Sequence, residues 1–132
     1  MRRTSKNTPK GYDSWLEYDL HKQMKNCIYH PDRIPYVQFK MYEPDFVYYD
    51  GERKVYIEAK GRFRDTQEAR KYKDIADGLD EYEELVFVFQ NPKTPMPNSK
   101  RRNDGTKFNH GEWADKWKFR HFTPATLPKE WL

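Results

Sequence analysis

Asp45, Glu58 and Lys60 have the types and spacing that phosphodiester hydrolysis requires. Along an extended segment alternate side chains share a face, so Glu58 and Lys60 project together, roughly 7 Å apart. The runs 45–49 and 54–59 are rich in β-branched and aromatic residues, and the Asp50-Gly51 pair between them supplies the positive φ of a hairpin turn. A register that pairs Tyr49 with Lys54 sets Asp45 directly across from Glu58, bringing two carboxylates and an ammonium to one face. Two carboxylates suit a hard Mg²⁺ or Mn²⁺ ion, which polarises a phosphate and lowers the pKa of an attacking water. Asp45 and Glu58 are therefore the expected metal ligands, with the Ala59 backbone carbonyl as a further candidate. Lys60 is placed to orient or help deprotonate the water and to offset charge on the phosphorane oxygens.

The plain alternative is a surface hairpin whose acids and amine form a solvated cross-strand ion pair worth under about 1 kcal/mol. Glu58 and Lys60 alone fit that alternative better. Pro44-Asp45 at the head of a paired strand, and Gly61, Arg62 and Arg64 directly after Lys60, shift the balance towards function, because glycine lets a backbone approach a phosphate closely. Glu17 is ambiguous on its own residues, since Ser14 with Glu17 has the spacing of a helix capping box.

The charge pattern is consistent with a polyanionic partner. The net charge of +4 is modest, but its distribution is segregated. Arg2, Arg3, Lys6 and Lys10 load the N-terminal end. Arg62, Arg64 and Lys71 follow the Glu58-Ala59-Lys60 motif, and Lys100, Arg101 and Arg102 crowd one loop, whereas Asp77, Asp80, Glu81, Glu83 and Glu84 sit together. Basic clusters are usually solvated surface; adjacency to a metal site is what makes these candidate DNA-phosphate contacts. The four histidines are scattered and receive no role. In a chain 36% hydrophobic but 17% aromatic, the tryptophans are expected in the core rather than stacked on bases. Cys27 is the only cysteine, which excludes an internal disulfide and fits a reducing cytoplasm. No apolar run approaches a bilayer span, and no apolar stretch follows the basic start as a signal peptide requires.

The elements that must position these residues can be read from periodicity. Residues 1–12 are polar and basic and are expected to form a flexible arm, followed by one domain over 13–132. Leu16, Leu20, Met24 and Cys27 recur at helical spacing over 14–27, and 36–41 reads as a strand. After the hairpin, Asp65 with Glu68 forms a capping-box pattern ahead of Ala69, Tyr72, Ala76 and Leu79, with Gly78 as terminator. The wholly apolar run 85–89 predicts a central strand covered on both faces. Residues 91–107 read as a flexible loop, 109–117 as a helix capped by Asn109 and Glu112, and 118–122 as a last strand.

Pro44-Asp45 followed by Glu58-Ala59-Lys60 resembles the signature of the PD-(D/E)xK nuclease superfamily. Within it the chain is similar to the phage endonuclease I family of four-way (Holliday) junction resolvases. The similarity runs through Ser14-x-Leu16-Glu17, Tyr42-x-Pro44-Asp45-Phe46, Val55 to Gly61, and Gly111-Glu112-Trp113 to Pro128-Lys129-Glu130-Trp131. The resemblance implies an α/β, restriction-endonuclease-like core, a mixed central sheet flanked by helices in the order αβββαβ, here with a C-terminal αβ. It implies Mg²⁺- or Mn²⁺-dependent cleavage of branched DNA by a homodimer whose active sites combine two chains, with domain swapping left open. It places a catalytic glutamate at Glu17, a further candidate metal ligand, and suggests a phage protein acting in the host cytoplasm. The competing expectations are a monomeric nicking or repair nuclease with the same chemistry, and a non-catalytic protein that binds DNA by shape.

Overall fold

In the structure, a computed structural model that describes residues 2–132, Asp50-Gly51 makes the hairpin that its residues predict. Gly51 takes φ 63°, which lets β1 (Phe46–Asp50) turn into β2 (Arg53–Lys60) within two residues. Tyr49 stands opposite Lys54 in an antiparallel pair, the register the expected site depends on. β3 (Glu83–Phe89) runs parallel to β2, and β4 (His121–Phe122) runs parallel to β3. The result is a mixed four-stranded sheet in the order β1-β2-β3-β4, with β1 on one edge.

Two layers of side chains follow from strand alternation. Leu85, Phe87 and Phe89 of β3 face an aromatic layer with Phe63, Trp113 and Phe119, while Val86 turns the other way to join Val55 and Ile57. The central strand is thus covered on both faces, as its unbroken apolar run predicts. Helix αA (Thr66–Asp77) closes the aromatic side by burying Ala69 and Tyr72. Its N-terminus is capped by Asp65, whose Oδ1 accepts the Glu68 N–H at 2.8 Å. Helix αB (His110–Lys116) begins with the full capping box of Asn109 and Glu112 and buries Trp113 and Ala114.

By contact, the chain divides into two units, Met1–Phe39 and Lys40–Leu132. The sheet and both of these helices belong to the second. In the first, helix αN (Trp15–Gln23) starts at Ser14, whose Oγ accepts the Glu17 N–H, and it buries no residue. Leu16 is 67% exposed, and Leu20 and Met24 are exposed as well. The helix stops at Gln23 rather than continuing to Cys27, because Met24 leaves helical geometry at φ −89°, ψ 67°.

Several expectations need correction. No strand forms over 36–41: Tyr36, Val37, Phe39 and Met41 are all exposed, and no neighbouring strand pairs with them, so their β propensity goes unused. Among the described residues the order is accordingly αββαβαβ. The basic arm is not a free tail. Arg3 pairs with Asp19 at 2.7 Å and lies 4.2 Å over the Trp15 ring, and the Trp15 indole N–H donates to the Thr4 carbonyl at 3.0 Å. The loop over 91–107 lacks regular structure but is tied down by Arg102. That guanidinium reaches both Glu112 carboxylate oxygens, at 2.8 and 3.0 Å, and the Lys107 carbonyl at 3.1 Å. The last strand shortens to two residues because Lys118 takes φ 63° and Phe119 turns into the core. No helix is long and apolar enough to cross a membrane among the described residues.

Candidate active site

The site is built at the point where β1 begins beside the end of β2. The ladder stops at Phe46 opposite Ile57, so Asp45 lies just beyond it, and its Oδ2 accepts the Ala59 N–H at 2.8 Å in place of a strand partner. The N–H and C=O of a strand residue point to the same edge, so the Ala59 carbonyl is directed to the Asp45 side. Lys60, one residue on, bonds in the opposite direction: its carbonyl accepts the Gln90 N–H at 3.1 Å.

Glu58 and Lys60 share the aromatic face of the sheet, which explains why neither is well solvated. Glu58 is only 6% exposed, and its Oε1 accepts the Tyr72 hydroxyl at 2.5 Å. Burial, and then the Asp45 carboxyl within hydrogen-bonding reach, push its pKa up to about 7. Asp45 is exposed, and its pKa is lowered, first by the hydrogen bond from Glu58. The two acids thus shift in opposite directions, the buried Glu58 favouring its neutral form and the exposed Asp45 its charged one.

Lys60 is cradled by residues that sequence reasoning did not assign to the site. Its Nζ donates to Glu68 Oε1 at 3.0 Å, and it lies 4.9 Å from the Tyr72 ring centroid and 5.6 Å from that of Phe63. Glu68 was expected to return to the helix N-cap; it turns instead to the lysine, since αA folds back over the end of β2. Tyr72 was expected as core. A buried tyrosine body needs a partner for its hydroxyl, and that requirement was the available signal for a neighbouring acid. Tyr42 packs edge-on to Tyr72, and its hydroxyl has no hydrogen-bond partner. Burial pushes both tyrosines' pKa upward, followed by the charge of Glu58 at Tyr42 and by the hydrogen bond to Glu58 at Tyr72. His110, given no role from sequence, is fully buried between Phe63 and Phe89 with both ring nitrogens unpartnered; burial and then the Lys60 charge lower its pKa.

The other expected residues are spread over the two units. Glu17 lies in the first, where Ser14 Oγ donates to its Oε2 at 2.6 Å and Tyr29 donates to Oε1 at 3.2 Å. The Ser14 hydrogen bond is the main reason its pKa is lowered. His30 Nε2 stands 3.3 Å from Asp13 and 3.7 Å from Glu17, so these three exposed or half-exposed side chains form a group with metal-ligand spacing. Arg2, Lys6 and Lys10 are exposed there, while Arg3 is engaged by Asp19 and Trp15.

In the second unit Arg62 and Arg64 are exposed just past Lys60, with Arg64 3.4 Å from Asp65. Lys71 lies 4.9 Å over Tyr72 and 5.8 Å over Tyr42, on the flank of the acid pair. Gly61 has open space where a Cβ would stand. Lys100 and Arg101 are exposed, and Arg101 donates to the Gly105 carbonyl. Arg102 spends its donors on Glu112, Thr106 and Lys107, which makes it a clamp for its loop.

The donor set is all oxygen: the outward oxygen of Asp45, the Glu58 oxygen not held by Tyr72, and the Ala59 carbonyl. Such a set fits a hard divalent cation better than a thiophilic one. No protein-family model matches the chain, and no curated protein matches it significantly.

Proposed function

We propose that the chain is a Mg²⁺- or Mn²⁺-dependent DNA endonuclease, with Asp45, Glu58 and Lys60 at its reactive centre. The observation that carries this reading is the placement of Asp45, held on the Ala59 N–H at the head of β1, beside the buried Glu58 and the nearly buried Lys60 of β2: a divalent cation would offset the repulsion between the two acids. Asp45, Glu58 and the Ala59 carbonyl would hold the cation, which supplies Lewis-acid polarisation of the phosphate and a more acidic water. Tyr72 fixes one Glu58 oxygen and so presents the other. Lys60, held by Glu68, stands ready to orient the attacking water and to neutralise charge on the phosphate oxygens. Arg62, Arg64 and Lys71 flank the centre and position the DNA backbone.

The substrate is proposed to be branched DNA, with a four-way junction as the preferred form, and the active species a homodimer. The support for a dimer is apolar surface left uncovered in one chain: Leu16, Leu20, Met24, Ile34, Val37, Phe39 and Met41 are all exposed, and among the described residues of the first unit no side chain is buried. In this reading Glu17 completes the catalytic set.

Incubation of supercoiled plasmid with the protein tests the chemistry. Nicking or linearisation in Mg²⁺, abolished by EDTA, is expected; no cleavage in either Mg²⁺ or Mn²⁺ refutes the enzyme. Cleavage of a synthetic four-way junction beside its linear duplex arms tests the substrate. Sedimentation tests the assembly, and a clean monomer at micromolar concentration counts against the resolvase.

A further inference from the structure

A cavity of about 440 Å³ opens between αA and αB on the flank of αA turned away from Glu58 and Lys60. Thr66, Arg70, Lys73 and Asp74 line it from αA, whereas Glu68 and Tyr72 of the same helix serve the acid pair. Its floor is apolar, formed by Met96, Phe108 and Trp113. Its rim is basic: Arg70, Lys73 and Lys116 face it, and none of them forms an ion pair among the described residues, while Asp74 and no other carboxylate joins them.

Trp117 gives the cavity its chemistry. It is 38% exposed, and two ammonium groups gather on its one indole, Lys73 at 3.8 Å and Lys116 at 5.1 Å from the ring centroid. An exposed aromatic ring with unpaired cations around it, above an apolar floor, presents what an unstacked nucleotide needs: a face for the base and donors for the phosphate. Stacking of a base on an indole is stronger than the cation–π contact of a solvated lysine, so a base can take the ring and release Lys73 to the phosphate.

We infer that this cavity is a binding site for an unpaired nucleotide, with Trp117 as the stacking platform and Lys73, Lys116 and Arg70 as phosphate donors. The site is independent of the cleavage reading, because it needs neither the acid pair nor a divalent cation.

The test is fluorescence anisotropy of a short 5′-labelled single-stranded oligothymidylate with the full chain in EDTA. Trp117→Leu and the double variant Lys73→Gln/Lys116→Gln are each expected to weaken binding by about tenfold. Trp117→Phe keeps a ring and should bind within about twofold of the parent. Lys54→Gln/Lys129→Gln removes the same charge at exposed positions elsewhere and should also stay within about twofold. Free thymidine monophosphate should displace the strand where an equal concentration of inorganic phosphate does not. Unchanged binding by Trp117→Leu overturns the site, as does an equal loss in the two lysine double variants or equal displacement by phosphate alone. Because cleavage plays no part in the measurement, failure here leaves the nuclease reading standing, and an inactive protein that still binds in this way would separate the two.

Discussion

The two units of the chain treat charge and apolar surface in opposite ways. In Lys40–Leu132 the acid Glu58 and the amine Lys60 are held among Tyr72, Phe63 and Phe87, over a core in which Val86, Phe87 and Phe89 are completely covered. In Met1–Phe39 the acid Glu17 sits on a helix whose leucines face outward, and its partners Ser14, Tyr29 and His30 are local. A carboxylate gripped by local hydrogen bonds in water has its pKa lowered, and one buried beside another acid has it raised, as Glu17 and Glu58 show. The buried Glu58 is therefore held where its charged form is disfavoured, first by burial and then by Asp45. The half-exposed Glu17 is held where its charged form is favoured, and the apolar side chains of its helix, Leu16, Leu20 and Met24, stay exposed.

That contrast can be broken by experiment, most sharply at the acids. Asp45→Asn and Glu58→Gln are each expected to lower the cleavage rate about 10³-fold or more while DNA binding persists. Loss of binding in both would show that these acids shape the protein rather than the chemistry.

The packing contrast comes next. Phe87→Ala should destabilise the second unit by about 3–5 kcal/mol in urea melts, whereas Leu16→Ala should change the unfolding of a dilute, unassociated chain by less than about 0.5 kcal/mol. A large loss from Leu16→Ala under those conditions would mean that αN is packed within its own chain after all.

Protonation sharpens the difference between the two glutamates. The Glu58 pKa is raised to about 7 in the fold from 4.5. The folded chain then keeps a proton that the unfolded chain releases. Stability from this group is fully present below pH 4.5 and is lost as pH rises through 7. Without metal, the loss from acid to alkaline pH is about 3 kcal/mol at most, and Glu58→Gln should flatten that slope. Chemical melts at pH 5 and pH 8, each in EDTA, measure it; a parallel slope in the variant would remove Glu58 as its source.

The smallest expected effect is at Tyr72. Tyr72→Phe keeps the ring beneath Lys60 and deletes only the bond to Glu58, so the half-saturating Mg²⁺ concentration should rise about tenfold with folding unchanged. No change in the Mg²⁺ requirement would show that Glu58 is positioned without it.

Much of this arrangement was legible because it rests on local rules. The Asp50-Gly51 turn fixed the register, strand alternation put Glu58 and Lys60 on one face, and the unbroken run at 85–89 marked the central strand. Asn109 and Glu112 marked a helix start that forms as expected. What escaped depends on partners distant in sequence. Glu68 has the spacing of a capping residue, and only the fold-back of αA gives it Lys60 instead. Tyr72 carries the periodicity of a core residue, which hides the use of its hydroxyl. The segment 36–41 has strand composition, but pairing needs a neighbour and composition cannot supply one. Arg102 looks like its basic neighbours until Glu112 is brought against it.

The position of β1 has a practical consequence. With β2 on one side only, its other side offers a row of unsatisfied peptide groups flanked by the exposed Phe46, Val47 and Tyr49. Such a margin is a template for amyloid-like stacking, and what opposes it is mainly the repulsion of like-charged molecules. That repulsion vanishes near the isoelectric point of about 9.0. Concentrated stocks should therefore cloud first in mildly alkaline, low-salt buffer, and keep better as the pH is lowered from there and the positive charge grows.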